Sequence, residues 1–81
     1  MNVRYSKDAV KALKQMDARQ RARFNKSLEG LEHEPPDGDI KRLTGKDGAY
    51  RLRIGEYRVL FHYAKDHIVV DRIATRGHAY K

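Results

Sequence analysis

The sequence "YRLRIGEYRVLF", residues 50–61, is the strongest indication of the fold, because apolar and basic side chains alternate in it on both sides of a glycine. Side chains of a β-strand alternate between the two faces of a sheet, and a tight hairpin turn favours glycine at its first central position. The stretch therefore predicts a β-hairpin with a two-residue turn at Gly55 and Glu56. Its register pairs apolar residues on one face: Ile54 with Tyr57, Leu52 with Val59 and Tyr50 with Phe61.

The other face of this hairpin carries three arginines. The same register places Arg53 opposite Arg58, with Arg51 diagonally nearby, and like charges directly across a strand pair lower stability. A sheet needs no such cluster to fold, so the cluster favours an anionic ligand, and the guanidinium fork matches phosphate. Pairing with internal carboxylates is the alternative, but only Glu56 and Asp71 lie near in sequence order. We expect the arginines to face solvent.

Upstream of the hairpin, the spacing of apolar residues predicts two helices. Ser6 suits the N-cap of the first, and Asp17, followed by Gln20, suits the N-cap of the second. Pro35 disfavours helix at the residue before it, so the second helix should end near His33. The apolar positions at helical spacing are Ala9, Val10, Leu13 and Met16, then Phe24, Leu28 and Leu31.

The remaining segments complete an α+β fold of order βααβββ. A short strand is predicted at 2–5 and further strands at 50–54, 57–64 and 68–75, whereas residues 34–48 contain both prolines and are predicted to form a loop. The helical hairpin should pack on one face of a small antiparallel sheet. The length of 81 residues supports a single domain, 1–81.

The last strand has two possible registers. A two-residue turn at Lys65 and Asp66 would place Arg72 in the core, which is unfavourable for a charge. A three-residue connection sends Val69, Ile73 and Thr75 inward, but it also turns Asp71 inward. We favour the second register, which leaves Arg72, Ala74 and Arg76 on the face of the arginines.

Composition limits the classes of function. The chain has no cysteine, which excludes disulfides, thiolate zinc sites and a cysteine nucleophile. Its net charge of +7 favours nucleic acid, an acidic protein or an anionic membrane surface as partner, with a merely solvated basic surface as the alternative. No apolar run approaches the roughly 20 residues of a membrane span, and no signal peptide is apparent. We expect a cytoplasmic protein with no membrane partner.

Several other features are expected to be structural. The four histidines, His33, His62, His67 and His78, have no metal-ligand spacing, so neither a metal site nor a cofactor is expected. Residues 45–48 lack the context of a phosphate-binding loop and are expected to form a turn. Two basic rows are interpreted as solvated helix faces, and four tyrosines as core: Lys7, Lys11 and Lys14; Arg19, Arg23 and Lys26; Tyr5, Tyr50, Tyr57 and Tyr63.

Together, the basic helical hairpin, "LTG" (43–45), "YRLRIGEYRVLF" and the terminal "IATRGHAY" (73–80) resemble the RelE/ParE superfamily of bacterial toxins over nearly the whole chain. The resemblance implies two helices on a curved antiparallel sheet and neutralisation by a cognate antitoxin. In the RelE branch it implies cleavage of messenger RNA in the ribosomal A site without a metal, which inhibits translation. ParE-branch members share the fold but poison DNA gyrase.

RelE-type cleavage, in which the 2′-hydroxyl of the RNA attacks the phosphodiester, requires a base, cations for the phosphorane and an acid. By the resemblance, Arg58 and Arg76 match phosphate-stabilising arginines, and Tyr80 matches the terminal tyrosine. Arg51 and Arg53 stand where RelE itself has two lysines. Arginine stays protonated in proteins, so these two could bind phosphate but could not act as the base.

The base must then come from elsewhere in the chain. Glu56, His62, His78 and Tyr80 are the candidates, and His78 is favoured because it titrates near neutral pH and lies two residues from Tyr80. Glu56 is expected to serve the turn and His62 to be a structural histidine between core strands, while His78 could equally be a surface residue of the tail. The predicted catalytic set is Arg58, Arg76, Tyr80 and His78, and the predicted phosphate-binding set is Arg51, Arg53, Arg58 and Arg76.

Three functions remain open from the sequence. The favoured one is a toxin that is a ribosome-dependent, metal-independent endoribonuclease, with an antitoxin, the ribosome and mRNA as partners. The alternative is a ParE-type inhibitor of DNA gyrase without catalysis of its own, which the arginines in lysine positions favour. A non-enzymatic nucleic-acid binder that uses the basic helical rows ranks third.

Overall fold

The computed structural model describes residues 2–43 and 48–75. Two helices pack against a five-stranded sheet with the strand order β1-β5-β4-β3-β2, which confirms the predicted α+β class. The elements are β1 (Asn2–Tyr5), α1 (Lys7–Gln15), α2 (Ala18–Glu29), a 3₁₀ turn (Gly30–Glu32), β2 (Asp39–Arg42), β3 (Ala49–Ile54), β4 (Tyr57–Tyr63) and β5 (His67–Thr75).

The sheet differs from the prediction in two respects. Strand β2 forms within the segment predicted as a loop and pairs antiparallel with β3, which places Ile40 beside Leu52. A single inward apolar residue, Ile40, is too weak a signal for a strand beside Pro35 and Pro36. Strand β1 pairs parallel with β5, so the antiparallel arrangement applies to β2 through β5 and not to β1. Neither described helix has the length and apolar character needed to cross a membrane.

Both predicted helix starts are confirmed. The Ser6 hydroxyl accepts a hydrogen bond from the Ala9 amide at 3.0 Å, and an Asp17 carboxylate oxygen accepts one from the Gln20 amide at 2.8 Å. Each bond satisfies an amide that the first turn of a helix leaves without a partner. The Ser6 hydroxyl also donates to the carbonyl of Asp71 at 2.7 Å, so the start of α1 is tied to β5.

Arg21 holds the connection between the helices, a role that no sequence pattern indicates. Its guanidinium reaches back from α2 and donates to the carbonyls of Leu13 at 3.1 Å and Met16 at 2.7 Å. The last carbonyls of a helix lack partners and carry partial negative charge, so a cation there is favourable. Arg21 thereby caps the end of α1 and fixes the helical hairpin.

The core lies between the helices and the inner face of the sheet, which we define as the side packed on the helices. Phe24 of α2 meets Tyr57 edge-to-face at 5.0 Å, and Tyr50 stacks on Phe61 at 5.7 Å. Tyr5 and Tyr63 are 37% and 39% exposed, so their placement in the core was wrong. The inner face carries Leu52, Ile54, Val59, Phe61, Ile68 and Val70 as buried residues and Val3, Ile40, Tyr50, Tyr57 and Ile73 as partly buried ones.

A β-bulge settles the register of the last strand. The turn at residues 65–66 has two residues, as the 2.8 Å bond from the Ala64 amide to the His67 carbonyl shows. Phe61 of β4 pairs with Val70 of β5, and the preceding residue of β4, Leu60, pairs with Arg72. Asp71, between Val70 and Arg72, is therefore an extra residue that has no paired residue on β4. Each predicted register therefore holds for half of the strand.

The bulge also corrects two predicted side-chain directions. Ile68 and Val70, not Val69, point into the core before the bulge, and Ile73 points inward after it. Asp71 is exposed instead of facing inward. The bulge thus keeps both Asp71 and Arg72 out of the core, because two residues of the bulged strand oppose one residue of its partner.

Candidate functional site

The surface of interest is the outer face of the sheet, the side opposite the helices. Residues paired across neighbouring strands share a face, so the strand registers determine its members. From β1 to β5 these are Asn2 and Arg4; Asp39 and Lys41; Ala49, Arg51 and Arg53; Arg58, Leu60 and His62; His67, Val69, Asp71, Arg72 and Ala74.

The predicted arginine pair is confirmed. Arg53 of β3 lies directly opposite Arg58 of β4, and Arg51, two residues along β3, lies on the same face. Arg53 is exposed, and its Nε donates to the carbonyl of Gly55 at 3.4 Å. Gly55 itself has φ +60°, the conformation that the turn prediction requires of glycine. The alternation of the hairpin has therefore gathered three guanidinium groups on one surface.

Arg51 departs from the expectation that all three arginines face solvent. Its side chain is only 11% exposed, and its Nη1 donates to the Asp39 carbonyl at 3.2 Å and lies 3.6 Å from the Asp39 carboxylate. That carboxylate comes from β2, so predicting a loop there concealed it. The Asp39 side chain is half exposed, and ion pairs in such surroundings contribute only about 0–1 kcal/mol.

Leu60 lies at the centre of the outer face. Arg58 and His62 flank it along β4, since alternate residues of a strand share a face. Across the strands it is paired with Arg51 on β3 and Arg72 on β5. Leu60 is half-buried and Arg58 is half-buried beside it, with the Arg58 Nε out of contact with solvent. The site is thus a small apolar floor surrounded by cations and one imidazole.

The imidazole belongs to His62, which lies on β4 between β3 and β5, as expected, but does not place its side chain in the core. It lies on the outer face, with its side chain 43% exposed, and its Nδ1 is 2.7 Å from a carboxylate oxygen of Asp71. Asp71 is 47% exposed. No short-range pattern indicates this pair, because His62 and Asp71 come together only through the bulge in β5.

The other predicted site residues divide into two groups. Glu56 is exposed beside Gly55, as expected of a turn residue. Arg76, His78 and Tyr80 lie outside the described residues, as do positions 44–47 of the segment expected to form a turn. The assignment of the base to His78 therefore stays a prediction.

Histidine–aspartate pairing recurs in the part of the chain that the structure describes. His33 contacts Asp37 after α2, and His67 contacts Asp66 at 2.8 Å in the turn between β4 and β5. The hydrogen bond from His67 holds the pKa of the Asp66 carboxyl below its usual value. Over residues 2–43 and 48–75, no three potential ligand side chains come together as a metal site would require.

Comparison with known families gives a match over nearly the whole chain. The family model of the ParE toxin of type II toxin–antitoxin systems, parDE, matches residues 3–80. The Methanocaldococcus jannaschii protein named RelE1 is 36% identical over 85 residues, covering 99% of this chain and 94% of the relative. Toxin RelE3 of the same organism is 30% identical over 84 residues, covering 99% and 96%.

Solved structures share the fold. The chain resembles the archaeal RelE–RelB complex of Pyrococcus horikoshii with a TM-score of 0.77 and 30% identity, covering 96% of this chain and 97% of that chain. The isolated E. coli RelE toxin gives a TM-score of 0.76 at 16% identity, covering 98% and 87%. The second likeness concerns the fold alone.

Proposed function

The chain belongs to the ParE toxin family of type II toxin–antitoxin systems, and from this premise we propose that it is a ribosome-dependent mRNA endonuclease. In this role it cuts messenger RNA in the A site by attack of the RNA's own 2′-hydroxyl, which stops translation. A cognate antitoxin neutralises it. The relatives named RelE support this branch of the superfamily.

The observation that carries the proposal is the arginine cluster of the outer face. Arg53 and Arg58 lie directly opposite each other although like charges across a strand pair are destabilising. The arrangement becomes favourable when an anion lies between the two guanidinium groups. A phosphodiester fits, because its non-bridging oxygens accept the paired N–H donors of arginine.

The proposed chemistry follows from this placement. The 2′-oxygen loses its proton to a base and forms a bond to phosphorus, and the bond from phosphorus to the 5′-oxygen breaks. The products are a 2′,3′-cyclic phosphate and a 5′-hydroxyl. Arg53 and Arg58 stabilise the charge of the crowded phosphorus, the type of stabilisation that is worth about 10²–10³ in rate per donor in other enzymes. Arg76, His78 and Tyr80 are proposed to complete this site.

The antitoxin is proposed by analogy with the solved complexes. The Pyrococcus structure is a RelE–RelB complex, and so is one from Methanococcus jannaschii, with which the chain shares 27% identity and a TM-score of 0.74. A net charge of +7 favours an acidic partner. We expect an acidic or apolar antitoxin segment to cover the sheet or displace the carboxy-terminal residues. Action on ribosomes would also place the protein in the cytoplasm.

A gyrase inhibitor is the second candidate, because the matching family model is described as ParE. The two functions separate in a supercoiling assay with purified gyrase. Inhibition with accumulation of cleavage complexes would support the gyrase target, whereas undisturbed supercoiling would reject it.

Cutting of mRNA on translating ribosomes tests the proposal directly. Purified protein is added, and the 5′ ends of the transcript are mapped against the reading frame. We expect cuts confined to the A-site codon, with the rate reduced at least about 100-fold in Arg58→Ala. Arg19→Ala, which removes an exposed arginine of α2, is the control and should cut normally. Cutting that survives Arg58→Ala unchanged would reject this site.

A further inference from the structure

We propose that His62, oriented by Asp71, is the general base that takes the proton of the 2′-hydroxyl. This inference deepens the proposed function and rests on it. It replaces His78 in that role with a residue that the structure describes beside the arginines. Its evidence is the His62–Asp71 bond, the bulge that creates it, and the position of the imidazole relative to Leu60.

The hydrogen bond defines which imidazole nitrogen can act. An ionised aspartate only accepts hydrogen bonds, so the contact of 2.7 Å between Nδ1 and the Asp71 carboxylate requires the proton to be on Nδ1. In the neutral ring the lone pair is then on Nε2, the nitrogen opposite. An aspartate that fixes the tautomer of a histidine in this way is the arrangement that makes histidine an effective base in hydrolases. With 43% of its side chain exposed, His62 is open to a substrate.

The bulge in β5 also supports this role for His62 and Asp71. Val70 pairs with Phe61 and Arg72 pairs with Leu60, so inner and outer residues would alternate correctly along β5 without Asp71. The core therefore does not require the extra residue. What the extra residue does is place a carboxylate against His62, and bulges commonly re-aim a side chain beside an active site. The backbone there is anchored by Ser6, whose amide donates to the Val70 carbonyl and whose hydroxyl donates to that of Asp71.

The position of His62 relative to Arg58 and Leu60 suits a bound nucleotide. His62 lies four positions after Arg58 along β4, which is about 13 Å between Cα atoms, with Leu60 halfway. The two side chains can reach toward each other over Leu60, and Arg51 adds a guanidinium from β3 opposite that leucine. The paired positions on either side of His62 are small, Ala49 on β3 and Val69 on β5. A ribose could therefore lie over the leucine, with its phosphate toward Arg58 and its 2′-oxygen toward Nε2.

The proposed cleavage step needs no reactant other than the RNA and solvent. Nε2 takes the proton of the 2′-hydroxyl as the oxygen–phosphorus bond forms and the bond to the 5′-oxygen breaks. The 5′-oxygen takes a proton from solvent, and the imidazolium then returns its proton to solvent. Two electrons move with each bond, and no oxidation occurs.

The charged and titratable groups around His62 come from the outer face of the sheet. The helices pack on the inner face, so none of their side chains faces His62. The groups that share the outer face are Asp71, Arg72 and His67 on β5, Arg4 on β1, Arg58 on β4, Arg51 and Arg53 on β3, and Lys41 and Asp39 on β2. Asp71 is the only one of these described groups within hydrogen-bond distance of His62 in the structure.

Single-turnover cutting of ribosome-bound mRNA by His62→Gln tests the inference. We expect the rate to fall between about 10²- and 10⁴-fold, the usual contribution of a general base. The pH dependence of the cutting rate should change too. The rate of the unsubstituted protein should become independent of pH once the imidazole is neutral. The rate of the variant should keep rising about tenfold per pH unit, because hydroxide replaces the base. His33→Gln, which breaks the histidine–aspartate pair between α2 and β2, is the matched control and should cut at the original rate.

Two further variants exclude a merely structural role. His62→Ala should regain activity when imidazole is added, and this rescue should itself depend on pH, which restored folding would not produce. Asp71→Asn should slow cutting and shift the pH profile while leaving the affinity for the ribosome unchanged, because only the orientation of His62 is lost.

The outcomes distinguish two failures. If the original protein cuts and His62→Gln, confirmed as folded by circular dichroism, cuts within about threefold of it, the base is elsewhere and the proposed function survives. If imidazole fails to rescue a folded His62→Ala, the base role is likewise overturned. If the original protein does not cut at all, the proposed function falls and the inference with it.

Discussion

The two faces of the sheet are built from the same strands but follow opposite rules. On the inner face Val59 and Phe61 have no exposed surface, whereas their neighbours Arg58 and Leu60 on the outer face are only half-buried. The inner face gains stability by removing apolar surface from water. The outer face sacrifices some stability by placing Arg53 opposite Arg58. Residues one position apart thus differ in role: the inner ones form the core, and the outer ones carry the charge.

This separation explains how such a short chain can have both an apolar core and a strongly charged surface. A domain of about this size buries only about 60% of its unfolded surface, so nearly every inner position must be apolar. The outer face contributes little to that core and is left to carry charge. Substitutions on the two faces should therefore affect different measurements.

The largest effect is expected for Phe61→Ala on the inner face. Phe61 is fully buried and contacts the rings of Tyr50 and Tyr63. Its truncation should lower the free energy of unfolding by about 3–5 kcal/mol, as measured by urea denaturation. Leu60→Ala, one residue away on the outer face, is the control and should cost less than about half as much. Equal losses at the two positions would contradict the distinction between the faces.

Arg53→Thr should act in the opposite direction on stability. It removes the repulsion with Arg58 and introduces a side chain that strands favour, so the free energy of unfolding should rise by about 0.2–1 kcal/mol. Binding of single-stranded RNA should weaken, and the slope of log affinity against log salt should become shallower by about 0.7 for the lost phosphate contact. A variant that is less stable or binds equally well would show that Arg53 serves the fold.

The smallest effect is expected at Asp66, in the turn that joins β4 to β5. The His67 bond lowers the pKa of Asp66 in the folded state, so the carboxylate stabilises the fold above the pKa of the unfolded chain. That contribution is lost as the pH falls below about 4, through the folded pKa. Asp66→Asn should therefore unfold at a slightly lower temperature near pH 7 and at the same temperature near pH 2. A difference that persists in acid would have another cause.

Most of the fold could be predicted because its signals are local. The hairpin around Gly55 shows its register through alternation, and Ser6 and Asp17 mark helix starts through short-range capping bonds. Strand β2 could not be found in this way, because it has one inward apolar residue and is stabilised by pairing with β3. The capping role of Arg21 could not be predicted for the same reason, since its partners are backbone carbonyls at the end of the other helix.

The candidate site divides along the same line. The shared face of Arg53 and Arg58 follows from the hairpin alone. The Arg51–Asp39 contact depends on β2, and the His62–Asp71 contact depends on a bulge that neither predicted register of β5 contained. Two imperfect registers for β5 were the sign of that bulge, because each placed one charged residue, Arg72 or Asp71, in the core.

The extra residue in β5 has a consequence for how gene copies of this toxin can decay. Loss of the single codon for Asp71 would leave every strand pairing of β5 possible, and therefore the same overall architecture. Such a copy would still match its family and superimpose on its relatives, yet it would lack the carboxylate beside His62. If the Asp71 carboxylate is needed for activity, as proposed, active and inactive copies could differ by three nucleotides, and a comparison of whole folds would not detect the difference.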